Sequence, residues 1–267
     1  MLGSDLFFLS VGVRVIVTAA FVLAMGMIIA RARPSLAAVA IAMPVVIGPG
    51  FLILALEREP QFILHAAEDS LGALAGTVAF AASVALLAGQ VRKSAVLLLS
   101  LLAWLLVAVI AGQAYGLGGN LTAFAVVYLA GLWVLRSAPA LPRRTVQWSA
   151  RAELPRALSA GLLVGVVTLG AEYLGPTIAG TLIALPVGML FVASGVLQSD
   201  DATRTREVLS AGARGSAALA LFLVTLRVLV AYSVAPVQAV LLATLAAVIA
   251  AIALGLAVKA SPAVIGR

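Results

Sequence analysis

Two arginines, Arg14 and Arg227, lie inside long apolar stretches of the sequence and are the strongest candidates for chemistry. A charge at the centre of a bilayer costs about 2.5–3.5 kcal/mol on insertion scales, so an arginine inside a membrane helix is a functional candidate by default. We interpret both residues as binding residues for a small solute. The alternative is that each guanidinium reaches the membrane surface along its own stem or forms a structural ion pair.

Three acidic residues, Glu68, Asp69 and Glu172, are predicted near the helix ends toward which both arginines are displaced. A carboxylate beside a buried guanidinium competes with an anionic solute for it, and protonation of the carboxylate relieves that competition. These three residues are therefore the candidates for proton or ion coupling.

Two proline-containing segments have closely similar sequences. Pro34-Ser-Leu-Ala-Ala-Val-Ala-Ile-Ala-Met-Pro44 returns as Pro176-Thr-Ile-Ala-Gly-Thr-Leu-Ile-Ala-Leu-Pro186. A proline inside a helix leaves a backbone carbonyl unpaired about one turn earlier, and in lipid that group must find a protein partner or line a wet cavity. Pro44 and Pro186 thus predict either discontinuous helices that bind the solute at mid-membrane or ordinary kinks repaired by Ser or Thr hydroxyls.

Three hydroxyl residues, Ser35, Thr177 and Thr181, share these two segments. Thr177 and Thr181 are one helical turn apart and therefore lie on the same face. Their hydroxyls either bind the solute or donate to the carbonyl one turn back in the same helix.

The remaining composition limits the chemistry further. The chain has no cysteine and a single histidine, His65, so disulfides, thiolate catalysis and histidine-rich metal sites are not expected. No phosphate-binding loop, zinc-protease motif or nucleophile–base pair is recognisable. The sequence predicts no enzymatic activity, no metal site and no cofactor.

The chain is too apolar for a soluble fold. Hydrophobic residues make up 64% of it and charged residues 10%, whereas soluble domains carry about 25% charged residues. A helix needs about 20 apolar residues to cross a bilayer. We therefore predict an all-α polytopic membrane protein with about nine transmembrane helices, at residues 6–30, 34–56, 64–90, 94–113, 119–136, 157–174, 176–197, 209–233 and 236–258.

The basic residues predict the orientation. Most of them, including Arg92, Lys93, Arg143 and Arg144, fall in connections that would share one side with the C-terminus. Because Lys and Arg concentrate in cytoplasmic loops, we predict a multi-pass protein of the bacterial inner membrane, with the N-terminus outside and the C-terminus in the cytoplasm. The net charge of +7 is explained in this way, and nucleic-acid binding is not expected.

The proline segments belong to a longer internal repeat. Ser70-Leu-Gly72-Ala73 also has a counterpart in Ser210-Ala-Gly212-Ala213. An odd number of spans before the second copy turns it upside down, so the sequence predicts two inverted four-helix units joined by a central helix. Residues 1–113 form the first unit, 114–156 the central helix with a basic linker, and 157–267 the second unit.

Some residues are expected to pack rather than bind. Gly72 and Gly76, like Gly161 and Gly165, have the spacing of close helix–helix contacts. Trp104 is interpreted as an anchor at the membrane–water interface.

The second unit resembles the GlpM-like family of small bacterial inner-membrane proteins. The resemblance covers residues 157–230 and rests on Ile178-Ala179-Gly180-Thr-Leu-Ile-Ala-Leu185-Pro186, a polar turn near Ser199 and the stretch from Thr203 to Glu207. Members of this family are about half this length, so the resemblance implies a fused duplicate. It implies no catalytic or binding residues.

Together these patterns predict a small secondary transporter or exporter that works by alternating access. Its solute is small, with an anion as one candidate class, and its other partner is membrane lipid. The alternative is a membrane partner or assembly factor in envelope biosynthesis that transports nothing. A lipid-active enzyme is a third and weaker reading, and association into a homo-oligomer is left open.

Overall fold

The computed structural model describes residues 47–136, 150–198 and 202–260, together with residues 12, 13, 15–20 and 23 nearer the N-terminus. Within these residues the regular structure is helical and contains no strand. The numbered helices are α1 (Ile47–Glu57), α2 (Pro60–Leu87), α3 (Lys93–Ala111), α4 (Gly116–Leu135), α5 (Ala150–Ile183), α6 (Val187–Leu197), α7 (Ala202–Ala231) and α8 (Pro236–Ala260).

Six stretches of the described chain are long and apolar enough to cross a membrane. They are Pro60–Leu87, Lys93–Ala111, Gly116–Leu135, Tyr173–Leu197, Ala202–Ala231 and Pro236–Ala253. The all-helical, multi-pass membrane class predicted from the sequence is confirmed to this extent. Most of each of the spans predicted at residues 6–30 and 34–56 lies outside the described residues, so the count of nine stays a prediction.

Helix α2 is the central helix of the described bundle. It packs against α3, α4, α5 and α7. In its most apolar stretch 72% of the residues are buried, whereas in α4 the share is 17%. Because α2 is surrounded by protein and α4 faces outward, polar groups on α2 must find partners among neighbouring helices, while lipid covers the apolar surface of α4.

Small residues let the neighbours approach α2 closely. A side chain at Gly72 would collide with Asn120 of α4, and one at Gly76 would collide with Trp104 of α3. The predicted role of these glycines in helix contact is confirmed. The interface role predicted for Trp104 is wrong, since its ring is 5% exposed and fills the space that Gly76 leaves.

The helix connections gather at two ends of the bundle. At one end, which we call the Pro60 end, the start of α2 lies beside the α7–α8 connection, Ser233–Ala235. Proline is the first residue of both α2 and α8, where the missing amide hydrogen costs no helix bond. At the opposite, Arg92 end, the α2–α3 turn lies beside the end of α6 and the start of α7.

Candidate functional site

A partly buried ion pair joins α2 and α7. Arg227 of α7 donates from Nε to Oε1 of Glu68 on α2 across 2.7 Å. The Glu68 side chain is 9% exposed and that of Arg227 is 28% exposed. The structure therefore brings together one of the predicted solute-binding arginines and one of the predicted coupling acids.

The next residue of α2 faces a different helix. The Asp69 side chain is hydrogen-bonded to that of Thr177, which lies just after the first proline of the second repeat segment. Thr181, one turn further on, donates from its hydroxyl to the Thr177 carbonyl across 2.8 Å. The Thr177 side chain thus contacts Asp69. Thr181 instead bonds its own helix, which is the local alternative expected from its spacing.

The helix that carries Thr177 is interrupted twice. At Gly175 the backbone adopts φ 71° and ψ 171°, which separates residues 150–174 from the segment that begins at Pro176. A second interruption follows at Ala184–Pro186, after which α6 begins at Val187. The discontinuity predicted at Pro186 is present, and a further one at Gly175 lies where only glycine adopts such a positive φ without strain.

Hydroxyl groups of α2 hold the carbonyls beside the second interruption. Ser70 Oγ donates to the Gly180 carbonyl across 2.7 Å, and Thr77 Oγ1 donates to the Ala184 carbonyl across 3.2 Å. Both hydroxyl residues are buried. The broken helix is therefore fixed to α2 by protein groups.

Sequence reasoning missed Ser70 and Thr77 as partners of the broken helix. The predicted hydroxyl partners lie within the proline segments, whereas Ser70 and Thr77 lie on α2, more than a hundred residues earlier in the chain than the carbonyls they bond. Their spacing of seven residues, which puts them on one helix face, was the available signal.

Gly180 is where the broken helix comes closest to α2. A side chain at this position would collide with the Ala66 carbonyl. The absence of a Cβ atom lets the backbone of the broken helix approach within reach of Ser70.

Several candidate residues are not located by the described structure. Arg14, Ser35 and Pro44 lie outside the described residues, and for Glu172 only the backbone is described. The described part of the site therefore consists of Arg227, Glu68, Asp69, Thr177 and the broken helix at Pro186. How the two proline segments lie relative to each other stays a prediction.

A cavity of about 370 Å³ lies at the Pro60 end of the α2–α7 contact. The start of α2, the end of α7 and the connection to α8 form its walls, and its lining residues are Pro60, Gln61, Leu64, Val230, Ala231, Ser233, Val234, Ala235 and Pro236. We call it the Pro60 vestibule. A volume of this size is at the lower end of the range of about 300–1,000 Å³ for small-molecule sites.

Comparison with known proteins adds no assignment: no protein-family model, curated protein or solved structure matches this chain. Among the described residues, no group of three or more His, Cys, Asp or Glu side chains is placed to hold a metal ion. The functional proposal is therefore built on the geometry of the site.

Proposed function

We propose that this protein is a small secondary transporter or exporter that moves a small solute across the membrane by alternating access. The observation that carries the proposal is the Glu68–Arg227 pair, which joins α2 and α7, two helices long and apolar enough to cross a membrane. Transporters of this kind place their sites at the interface of two repeats, beside interrupted helices. Here the pair is close to Asp69, which contacts the interrupted helix through Thr177.

Stability alone is a poor reason to bury such a pair. Removing two charges from water costs about as much as their attraction returns, and apolar residues of similar volume often serve equally well. Charged groups inside membranes are accordingly functional candidates. The Glu68–Arg227 pair therefore favours a site that exchanges partners during function.

The packing of α2 and α7 is compatible with two inverted units. Arg206, near the start of α7, donates to the carbonyl of Ala85 near the end of α2, and Arg227, near the end of α7, reaches Glu68 near the start of α2. The two helices are therefore antiparallel. When residues of the two units are matched by the interval between Ser70 and Ser210, the Glu68–Arg227 contact falls within two residues of the Ala85–Arg206 contact. An inverted repeat requires such a correspondence.

The remaining expectations belong to this proposal as well. We place the protein in a bacterial inner membrane, with its N-terminus and the Pro60 end outside and the Arg92 end in the cytoplasm. The resemblance of residues 157–230 to the GlpM-like family supports the reading of the chain as a duplicated unit.

One observation favours the alternative of a membrane partner or assembly factor. The carbonyls beside Pro186 already have protein donors in Ser70 and Thr77, so this break needs no solute to satisfy it. In that case the ion pair would be structural, and the outward faces of α3 and α4 would contact a partner protein.

Flux measurements decide between the two functions. The purified full-length chain, reconstituted in liposomes, should move a solute from a screen of anions, amines and sugars, and Arg227→Ala should reduce the flux by about tenfold or more because the solute loses its cationic partner. Arg136→Ala is the matched control, since that arginine lies over the ring of Trp133 at the end of α4. A screen in which no solute moves would contradict the transport function, and co-purification of a stoichiometric partner would then support the alternative.

A further inference from the structure

The Pro60 vestibule lies directly above the ion pair along the α2–α7 contact. Leu64 lines the vestibule one helical turn before Glu68, and Val230 and Ala231 line it one turn after Arg227. One turn of helix rises about 5.4 Å, so a small molecule in the vestibule is one turn away from the pair. The vestibule therefore lies on the side from which a solute at the Pro60 end would approach the pair.

Arg227 is the more exposed member of the pair. Its side chain is about three times as exposed as that of Glu68, at 28% against 9%. The residues that line the vestibule carry no charge, and its polar side chains come from Gln61 and Ser233. An anion that enters will consequently be attracted to the guanidinium of Arg227.

Other ionisable groups face this region from the described helices. Asp69 and His65 lie on α2 near Glu68. Glu57 ends α1, Arg58 and Glu59 lie between α1 and α2, and Tyr232 follows the end of α7. Asp69 bonds Thr177, and Arg58 lies 5.9 Å from the centre of the Phe62 ring. Of these groups, Glu68 is the one in contact with Arg227, so the occupancy of Arg227 and the charge of Glu68 are coupled.

We propose that the solute is a small monocarboxylate, and that each molecule is carried together with one proton held by Glu68. The carboxylate of the solute replaces that of Glu68 on Arg227, and the released Glu68 takes a proton on its carboxyl oxygen. The site then holds one positive and one negative charge, as it did before. A buried carboxylate left without a partner is strongly disfavoured, which is why the proton must accompany the anion.

The same charge balance selects a monovalent solute, and the carboxylate of Glu68 that Arg227 already binds indicates that this solute is a carboxylate. A monoanion leaves the loaded site neutral, whereas a dianion would leave one uncompensated negative charge in the membrane core. The size of the vestibule limits the solute to a small molecule. Transport is thus electroneutral, with one proton for each monocarboxylate.

This inference rests on the proposed transport function, and flux experiments separate the two. Liposomes that contain the full-length chain and an internal pH dye should take up pyruvate, lactate or glycolate with acidification of the interior. An inward proton gradient should drive the uptake, and an imposed potassium diffusion potential should leave it unchanged. Uptake that follows the imposed potential would overturn the inference, as would flux of other solutes without flux of pyruvate, lactate or glycolate. Either result would leave the transport function intact. The absence of flux for every solute would overturn the transport function itself.

Two variants assign the proton to Glu68. Glu68→Gln keeps Arg227 available, so exchange of internal for external pyruvate should continue while net uptake stops, because an empty site would have to cross with an uncompensated positive charge. Arg227→Ala should lose both activities. Glu59→Gln, at an exposed position before α2, is the control and should keep both. Net proton-coupled uptake by Glu68→Gln would overturn the assignment.

A binding measurement on the unmodified protein keeps the assignment testable if Glu68→Gln does not fold. In weakly buffered detergent solution at neutral pH, addition of saturating pyruvate should cause the uptake of one proton per bound anion. Binding without proton uptake contradicts the coupling.

Discussion

Glu68 and Arg227 are each other's ionic partners, with Arg227 Nε 2.7 Å from Glu68 Oε1. Removing one partner leaves the other as an uncompensated buried charge, whereas removing both leaves an apolar contact. Arg227 is more exposed than Glu68, so an unpaired Arg227 costs less free energy than an unpaired Glu68. The loss of Arg227, which leaves the more buried Glu68 unpaired, is therefore the more destabilising single change.

We therefore expect Arg227→Leu to lower the stability of the folded protein by about 3–5 kcal/mol, and the double variant Glu68→Leu/Arg227→Leu to recover most of that loss. Thermal unfolding in detergent measures both. Equal destabilisation by the single and double variants would show that the two charges are solvated separately and do not form a pair in the folded protein.

The broken helix depends on α2 for its geometry. Its backbone approaches α2 where Gly180 contacts the Ala66 carbonyl. The hydroxyls of Ser70 and Thr77 donate hydrogen bonds to its carbonyls, and lipid tails offer no donor that could replace them. The closeness of the contact and the hydrogen bonds support each other, because a helix pushed outward at Gly180 moves its carbonyls away from both donors.

Gly180→Ala should consequently destabilise the protein by about 1–3 kcal/mol, the usual cost of an added methyl group in a tight contact. Gly195→Ala in α6 is the matched control, since nothing lies within 4 Å of the position that its Cβ would take. Unfolding by heat or denaturant compares the two. Similar stabilities for both variants would mean that α2 and the broken helix are less tightly packed than described.

Thr77→Val removes one hydroxyl while conserving the shape of the side chain. The buried Ala184 carbonyl then loses its donor from α2, and we expect a loss of about 1–3 kcal/mol. Thr122→Val in α4 is the control, because its hydroxyl bonds only its own helix and is exposed. A fully stable Thr77→Val protein would show that water or another group satisfies the carbonyl.

The sequence predicted these elements unevenly, for physical reasons. Long apolar runs located α2, α3, α4 and α8 to within four residues at each end, because the bilayer fixes helix length. The predicted start of α7, at residue 209, lies seven residues after the observed start at Ala202. Pro186 predicted its own break, since proline acts locally. The break at Gly175 lies at the predicted boundary between the spans 157–174 and 176–197. The donors Ser70 and Thr77 were missed because long-range packing chooses them.

At the scale of the whole molecule, the described helices form a bundle with two distinct ends. Two connections predicted to share one side, before α2 and between α7 and α8, lie together at the Pro60 end. Two predicted to share the other side, between α2 and α3 and between α6 and α7, lie together at the Arg92 end. The pairing of Glu68 with Arg227 was suggested by the sequence as one of several arginine–acid combinations. Its selection required the antiparallel contact of α2 and α7, which no local pattern encodes.

The absence of native cysteine makes the orientation simple to test. A membrane-impermeant maleimide should label Ser233→Cys in intact cells, because Ser233 lines the Pro60 vestibule, whereas Gln90→Cys in the α2–α3 turn should be labelled only after permeabilisation. Thr77→Cys, buried in the core, is the unlabelled control in both conditions. The reverse pattern for Ser233→Cys and Gln90→Cys would place the Pro60 end in the cytoplasm.

The bonds from Ser70 and Thr77 to the broken helix have a mechanical consequence. They tie residues 176–186 to α2, so we expect these two elements to move together. Gly175 is the nearest place where the backbone can turn, since its φ is 71° and open space surrounds the position of a Cβ atom. Hinges are a few residues that absorb large backbone changes. Any rocking of this protein should therefore pivot at Gly175, with residues 150–174 as the swinging arm and the proline break as part of the fixed frame.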